Sequence, residues 1–482
     1  MTTRDYSSLV SKVWNYAHVL RDQGISYGDY VEQITYLLFL KMDEERTELL
    51  GEPSIIPDKY QWAQLANKDG DALELQYRHT LEELGKEPGL IGTIFKKAQN
   101  KLTDPAKLTR VVSLIANEGP WIGIGVDVKG EIYEGLLEKN ASEVKSGAGQ
   151  YFTPRSVIDA IVKCVNPKIG ETICDPACGT GGFLLQAYDH MKMQSQDRDK
   201  LRQLRHDSFH GTDIVDEVVR LCAMNLYLHG IGNGGSPVKQ GDALSADHGS
   251  RYDVILTNPP FGKKSSYKVV GEDGQVTTER ENYEREDFKY TTSNKQLNFL
   301  QHIMTIMNTN GRTGVVLPDN VLFEAGRAGE GIRKRLLEQF DFHTLLRLPT
   351  GIWYSPGVKA NVLFFDKKAA SKEVQTKKLW VYDLRTNMNF TLKTRQMSAA
   401  DLDDFAQCYK NRKETERFKC FEYDELVKRD KLNLDIFWLK DDSLEDIDSL
   451  PSPDVIAAEI VENLEAALEQ FRSVAEELDE AA

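Results

Sequence analysis

The run Tyr252-Asp253-Val254-Ile255-Leu256-Thr257-Asn258-Pro259-Pro260-Phe261 decides how the rest of the chain reads. Its first six residues are largely apolar, partly β-branched and followed by proline, the pattern of a buried parallel strand. Asn258 to Phe261 then fall at the carboxyl end of that strand, the edge where open α/β sheets bind ligands. An asparagine oxygen accepts a hydrogen bond. A carbonyl beside proline is held in place, because the ring fixes φ. Two fixed acceptors suit an amine conjugated to a ring, such as adenine N6. That amine is a poor nucleophile because its lone pair is delocalised. Paired acceptors favour a pyramidal nitrogen whose lone pair faces an electrophile, a form of preorganised electrostatic stabilisation. Phe261 adds a flat face on which a base taken out of a duplex can stack. The same four residues also make a plain Pro-Pro turn capped by asparagine beside a core phenylalanine.

Working back from this strand, three more strand ends carry acidic residues. Thr172-Ile173-Cys174 leads into Asp175-Pro176-Ala177-Cys178-Gly179-Thr180-Gly181-Gly182-Phe183, followed by a helical segment with Leu184, Leu185, Ala187 and Tyr188. Strand, glycine-rich turn and helix form the first half of a nucleotide-binding crossover. The glycines permit close backbone approach, and the helix N-terminus offers N–H groups. The dinucleotide spacing G-x-G-x-x-G is absent, which disfavours NAD or FAD. Asp175 ahead of the glycines disfavours a pyrophosphate and favours a cationic or zwitterionic ligand. A second strand, Ser208-Phe209-His210-Gly211, ends at Thr212-Asp213. That carboxylate suits two ribose hydroxyls or the N-cap of the helix that follows. A third, Val238-Lys239, ends at Gly241-Asp242-Ala243. Asp242 is an acceptor for an adenine amine or a turn residue.

Ordered in this way, Asp175 to Phe183, Asp213, Asp242 and Asn258-Pro259-Pro260-Phe261 resemble the motifs of S-adenosylmethionine-dependent amino-methyltransferases. The preceding Gly149-Gln150-Tyr151-Phe152-Thr153-Pro154-Arg155, with a helical N-terminal region, narrows the resemblance to the modification (M) subunit of type I restriction–modification systems, an N6-adenine DNA methyltransferase. The resemblance spans the chain and is most specific over 121–365. Thr180 stands where such subunits often carry serine, a modest departure. The resemblance implies an α/β fold, a Rossmann-like methyltransferase sheet with a helical N-terminal domain and a C-terminal helix. It implies S-adenosyl-L-methionine as cofactor and no metal. Gln150, Tyr151, Phe152, Thr153, Pro154 and Arg155 would close over the cofactor. Asp175, Ala177, Gly179, Thr180, Gly181 and Gly182 would hold its amino-acid part, Asp213 its ribose, and Asp242 with Ala243 its adenine. Asn258, Pro259, Pro260 and Phe261 would be catalytic, acting on a flipped adenine of double-stranded DNA. The partners implied are DNA, a specificity (S) subunit and a restriction (R) subunit. A second copy of the chain is also implied, in a complex that sets paired modification subunits on one specificity subunit. Asn-Pro-Pro chemistry serves equally for a protein glutamine or an RNA amino group. A non-catalytic assembly subunit would keep the fold alone.

Bulk properties fit this frame. Hydrophobic content of 40% and charged content of 28% describe a soluble globular chain. No apolar run approaches the roughly 18 residues of a membrane span. The first residues have no apolar segment of a secretory signal, so a cytoplasmic location without membrane attachment is expected. Six scattered cysteines (Cys164, Cys174, Cys178, Cys222, Cys408, Cys420) read as free thiols. Cys174 and Cys178 lack the further ligands of a zinc set. With 60 Lys+Arg against 75 Asp+Glu, the net charge is −15. A protein that binds DNA unaided usually presents a basic surface, so partner subunits are expected to supply most phosphate contacts.

The domains expected are a helical N-terminal domain at 1–145, a catalytic domain at 146–425 and a C-terminal helical extension for assembly at 426–482. In the first, Tyr30, Ile34, Leu37, Leu38 and Met42 repeat at helical spacing, and Pro53, Pro57 and 67–71 break the pattern. Residues 131–137 read as helical and 141–149 as a link. Thr153 is placed to cap a helix whose first residue is Pro154. The polar stretch 262–296, with Lys263, Lys264 and Lys268, reads as a long loop, either facing DNA or a surface insertion without a role. Further strands are expected at 314–318, 343–349 and 360–365, the last two antiparallel. A basic helix carries Arg333, Lys334 and Arg335, on a phosphate-facing or merely solvated face. Residues 366–450 carry an apolar run at 379–382 and no legible role. Ala457, Ile460, Leu464, Ala467, Phe471, Val474 and Leu478 keep heptad spacing, a short coiled-coil seam suited to a partner subunit.

Overall fold

A computed structural model describes residues 27–51, 53–117, 121, 153–232, 235–261, 266–270, 276–280, 283–353, 357–392, 394–440 and scattered positions of a helix at 453–468. The expected helix at 131–137, the link at 141–149 and most of the C-terminal seam lie outside these residues. So do Gln150, Tyr151 and Phe152.

The N-terminal part is helical. Helix α1 (Tyr27–Leu50) buries Tyr30, Ile34, Leu37, Leu38 and Met42, the residues that recur at helical spacing. Short helices α2 (Trp62–Ala66), α3 (Gly70–Leu84), α4 (Gly89–Ile94) and α5 (Pro105–Asn117) pack around it. After α6 (Arg155–Val165) the α/β part begins: β1 (Ile173–Asp175), α7 (Gly182–Lys192), α8 (Arg198–Asp207), β2 (Phe209–Asp213), α9 (Asp216–Leu228), β3 (Val238–Gln240) and β4 (Tyr252–Thr257). Asp175 is thus the last residue of β1 rather than the first after it. The start of α9 falls two residues later than the sequence pattern suggests.

The 262–296 stretch is not a featureless loop. Two strands, β5 (Ser266–Val270) and β6 (Val276–Arg280), pair antiparallel as a separate ribbon, and Lys295 already begins α10 (Lys295–Ile306). The polarity that suggested a loop has a local cause at its end. Asn294 caps α10, its side chain accepting from Gln296 and Leu297 N–H. Helix α10 is buried on all sides, which accounts for its weak periodicity. The chain continues through β7 (Met307–Pro318), α11 (Asn320–Phe323), α12 (Gly326–Gln339), β8 (Asp341–Arg347), β9 (Ala360–Asp366), β10 (Lys378–Asp383), α13 (Asp403–Asn411), β11 (Phe418–Glu422) and α14 (Tyr423–Leu426).

Nine strands form one sheet in the order β11-β10-β8-β9-β7-β4-β1-β2-β3. Strands β3, β2, β1, β4 and β7 run parallel, and β9 is antiparallel to both β7 and β8, as expected for the pair β8–β9. The apolar run at 379–382 adds β10 parallel to β8, and β11 closes the edge antiparallel. Val254, Ile255 and Leu256 of β4 are fully buried at the sheet's centre, each side chain contributing about 1.5–3 kcal/mol by leaving water. From β1 the chain winds outward through β2 and β3, then returns to the other side of β1 as β4. The reversal of order lies between β1 and β4, where open sheets form their ligand crevice.

The basic helix α12 corrects an expectation. Arg333 is only 1% exposed. Its guanidinium donates to the carbonyls of Val321 (3.3 Å), Glu324 (2.9 Å), Lys431 (2.8 Å) and Leu432 (2.9 Å). It is a buried tie between α12 and the C-terminal segment, facing neither phosphate nor solvent. Arg333→Ala should therefore lower unfolding free energy by about 3 kcal/mol, since several buried acceptors lose their donor. Lys334→Ala, on the exposed side, should stay within about 0.5 kcal/mol. Urea unfolding checks both; equal midpoints for the two variants would overturn the assignment.

Candidate active site

The carboxyl ends of β1, β2, β3 and β4 bring Asp175, Asp213, Asp242 and Asn258 to one edge of the sheet. The pairing of Ile173 with Val254 and Cys174 with Ile255 sets Asp175 and Asn258 side by side across the switch point.

The glycine turn is built by contacts its sequence permits. Gly179 and Gly181 have φ of +52° and +87°, a region L side chains rarely adopt. A Cβ on Gly181 would meet Cys222 Sγ of α9 at 2.9 Å, while one on Gly179 would meet nothing within 4 Å among the described residues. The turn is therefore tight behind and open in front of Gly179. Asp175 Oδ1 accepts from Ala177 N–H at 3.0 Å. Asp213 accepts from Gly179 N–H (3.1 Å) and Val215 N–H (3.0 Å), so its carboxylate ties the second strand end to the glycine turn. The N-cap of α9 is Val215, not Asp213. Burial raises the Asp213 carboxyl above its ordinary value, and backbone donors work against that rise. Ile214, next to it, is 61% exposed, an uncovered apolar residue that sequence reading passed over.

At β3 the post-ribbon segment supplies what the sequence did not reveal. Asp242 Oδ1 accepts from Leu244 N–H (2.9 Å) and Oδ2 from Tyr283 O–H (3.1 Å). Arg285 donates to the carbonyls of Ala243 and Leu244, both at 3.3 Å, and pairs with Asp287. Its guanidinium lies over the Phe288 ring at 4.1 Å. Ala243, Leu244, Phe288 and Phe299 form a small apolar cluster with Ala177 and Tyr283 against it. The aromatic residues Tyr283 and Phe288, standing in an otherwise polar stretch, were the available signal. His302 also faces Arg285, and burial followed by that cation depresses its imidazole to about 3. It is neutral at neutral pH.

Asn258 donates from Nδ2 to Thr153 Oγ1 at 2.8 Å. Helix α6 begins after Pro154 with no side-chain cap. Thr153 thus departs from its expected capping role, and Pro154 is the cap position, not the first helical residue. Arg155 opens the helix. Pro260 O accepts from Gln296 Nε2 at 3.3 Å, so the buried first turn of α10 braces the Asn-Pro-Pro turn. Phe261 packs edge-to-face on Trp353, ring centres 5.6 Å apart. Trp353 is 2% exposed, and its indole N–H has no acceptor among the described residues. It lies between β8 and β9, an aromatic flanked by glycine and proline in Pro349-Thr350-Gly351-Ile352-Trp353.

On the far side of the glycine turn, α9 joins the turn to the N-terminal helices. Asn225 Nδ2 donates to Thr180 O at 3.1 Å. From the same helix, Arg220 pairs with Glu32 and donates to Lys96 O at 3.0 Å, and Tyr227 O–H donates to Asp43 at 2.7 Å. Among the described residues no group of His, Cys, Asp and Glu could hold a metal ion.

A family model described as N-6 DNA Methylase matches residues 125–440, and one described as the HsdM N-terminal domain matches residues 9–115. The methylase subunit of the type I restriction enzyme EcoKI from Escherichia coli K12 is 37% identical, over 98% of this chain and 95% of its own length. The StySPI methylase subunit of Salmonella potsdam gives the same identity and coverage. Among solved structures, the EcoKI M protein superposes with a TM-score of 0.53 at 32% identity, covering 98% of this chain and 96% of the other. A chain from work on complex assembly and conformational transition of the type I R-M system superposes with a TM-score of 0.69 at 27% identity, covering 99% of each. Site geometry, family match and near full-length similarity agree, and the chain belongs to the N-6 DNA methylase family, among the methylase subunits of type I restriction enzymes.

Proposed function

We propose that the chain transfers the methyl group of S-adenosyl-L-methionine to N6 of an adenine flipped out of double-stranded DNA, as the methyltransferase subunit of a type I restriction–modification complex. The observation that carries this is the convergence of three acidic strand ends and the Asn258 turn on one edge, beside a glycine turn open in front of Gly179. The donor set fits the cofactor. Asp175 suits a cationic amino group, Asp213 ribose hydroxyls, and Asp242 an adenine amine. The apolar cluster of Ala243, Leu244 and Phe288 suits the faces of an adenine ring. Ala177, Thr180, Gly181 and Gly182 line the turn, while Gln150, Tyr151, Phe152, Thr153, Pro154 and Arg155 lie on the segment that would cover it. When bound, S-adenosyl-L-methionine supplies an electrophilic methyl group on sulfonium.

The chain's own residues act on the adenine. The Asn258 side-chain oxygen and the Pro259 carbonyl accept the two N6 hydrogens and draw the lone pair out of conjugation. Phe261, set against Trp353, stacks the extruded base. Holding both reactants in one crevice removes much of the entropic barrier of a two-substrate transfer. An acidic chain of net charge −15 calls for a specificity subunit to read the sequence and bind phosphate, joined by a restriction subunit. The C-terminal helix presents Ile460, Val461, Leu464 and Leu468, each more than half exposed, as a surface for the specificity subunit or a second copy. No helix among the described residues is long and apolar enough to cross a membrane.

Two outcomes test this reading. Asn258→Ala should lower N6-methyladenine formation roughly 100- to 1,000-fold with cofactor affinity little changed, measured by labelled-methyl incorporation and equilibrium binding; unimpaired methylation would sink the assignment. The second concerns Asp175. Its complete burial pushes the carboxyl from 3.8 up to about 7. The folded cofactor-free protein therefore holds this proton more tightly than the unfolded chain, and the group costs stability progressively as pH rises from about 4 to about 7. Thermal melts of the cofactor-free protein should show Asp175→Asn gaining on the parent as pH rises from 5 to 8. Parallel pH profiles would contradict the buried, proton-holding carboxyl.

A further inference from the structure

We infer that Thr153 is the positioning residue that holds the Asn258 side-chain amide with its oxygen turned to the substrate amine. This rests on the methyl-transfer reading and adds a residue to it. Thr153 is buried, does not cap α6, and accepts the Asn258 Nδ2 hydrogen at 2.8 Å across 105 residues of sequence.

The need for such a residue follows from the shape of an amide. Oxygen and NH2 ends are nearly identical in size and opposite in chemistry. With Oδ1 toward adenine N6, the amide accepts the amine hydrogen. Turned over, Nδ2–H meets N6–H, donor against donor, and the acceptor that pyramidalises the nitrogen is gone. The productive orientation directs the Nδ2 hydrogens into protein, where they require an acceptor. The Thr153 hydroxyl oxygen accepts one of them at 2.8 Å. Gln296 donates to the Pro260 carbonyl at 3.3 Å and holds the backbone of the turn.

The test uses the full chain assembled with its specificity subunit, duplex substrate and saturating cofactor, read as single-turnover methyl transfer. Thr153→Val, which keeps the shape and removes the acceptor, should slow transfer roughly ten- to hundredfold. Saturating cofactor separates this loss from any change in cofactor affinity, which equilibrium binding measures on its own. Thr153→Ser should keep near-parental rates. The deciding measurement repeats Thr153→Val on Asn258→Asp, whose two side-chain oxygens both accept. With no end to choose between, valine should cost less than about threefold there, as a double-mutant cycle. A merely structural Thr153 would cost the same in both backgrounds, and that result overturns the proposal. So does Thr153→Val at the parental rate. If Asn258→Asp is inactive, the serine variant decides: near-parental supports the proposal, as slow as valine overturns it. A parental complex that transfers no methyl group to adenine would fell the functional reading itself, and this inference with it.

Discussion

The two-residue pairing of β1 with β4 is the constraint on which the site depends. Ile173 lies against Val254 and Cys174 against Ile255. That short register brings the carboxylate ending β1 and the asparagine following β4 to the same edge. A slip of one residue would exchange β4's two buried faces, sending Val254 and Leu256 into the core that holds Ile255, and separate the two. The surroundings defend this register. Thr172 donates from N and Oγ1 to Asp253, both at 2.9 Å, locking the strands' entry ends. Thr313 Oγ1 donates to Ile255 O at 2.7 Å from the other neighbour. The crevice between β1 and β4 is thus fixed from below and from the side before any ligand arrives.

Much of this was legible because it is local. A strand that ends in a carboxylate, a glycine turn that opens a helix, and an apolar run that ends in Asn-Pro-Pro all carry their meaning within about ten residues. The strands β1 to β4 and the antiparallel pair β8–β9 follow from such patterns, as do the helices that bury Ile34 or Leu37. What escaped depended on partners distant in sequence. Arg333 sits in a basic run that reads as surface, but its acceptors arrive from Lys431 and Leu432 almost a hundred residues later. Thr153 before Pro154 has the form of a helix cap, but its oxygen is taken by Asn258. Tyr283 and Arg285 lie in a stretch whose polarity hides that they bond Asp242, Ala243 and Leu244. Polar composition shows that a segment can face water, and it does not show whether buried carbonyls lie within reach.

The post-ribbon segment changes the picture of the site as well as of the fold. Both feet of the excursion that leaves the Asn258–Phe261 turn are fastened to the crevice. One is held where Gln296 meets Pro260, the other where Tyr283 meets Asp242. The Asp242 end of the crevice and the Asn258–Phe261 turn therefore share a structural element. Trp353, brought in from between β8 and β9, completes the enclosure around Phe261. The site draws on both halves of the sheet, which accounts for its spread over some two hundred residues of sequence.

Helix α9 has a consequence for how the chain can be divided. One face packs Cys222 and Asn225 against the glycine turn, and the other engages Glu32, Asp43 and Phe39 of α1. A helix with two buried faces belongs to neither neighbour alone. Cutting the chain between its helical and α/β parts would leave Arg220 and Tyr227 facing water, and the wall behind the glycine turn would lose its backing. The two parts can be told apart by composition, but α9 joins them through contacts on both of its faces. Exchange of the N-terminal helices between relatives would succeed only where the matching face of α9 travels with them.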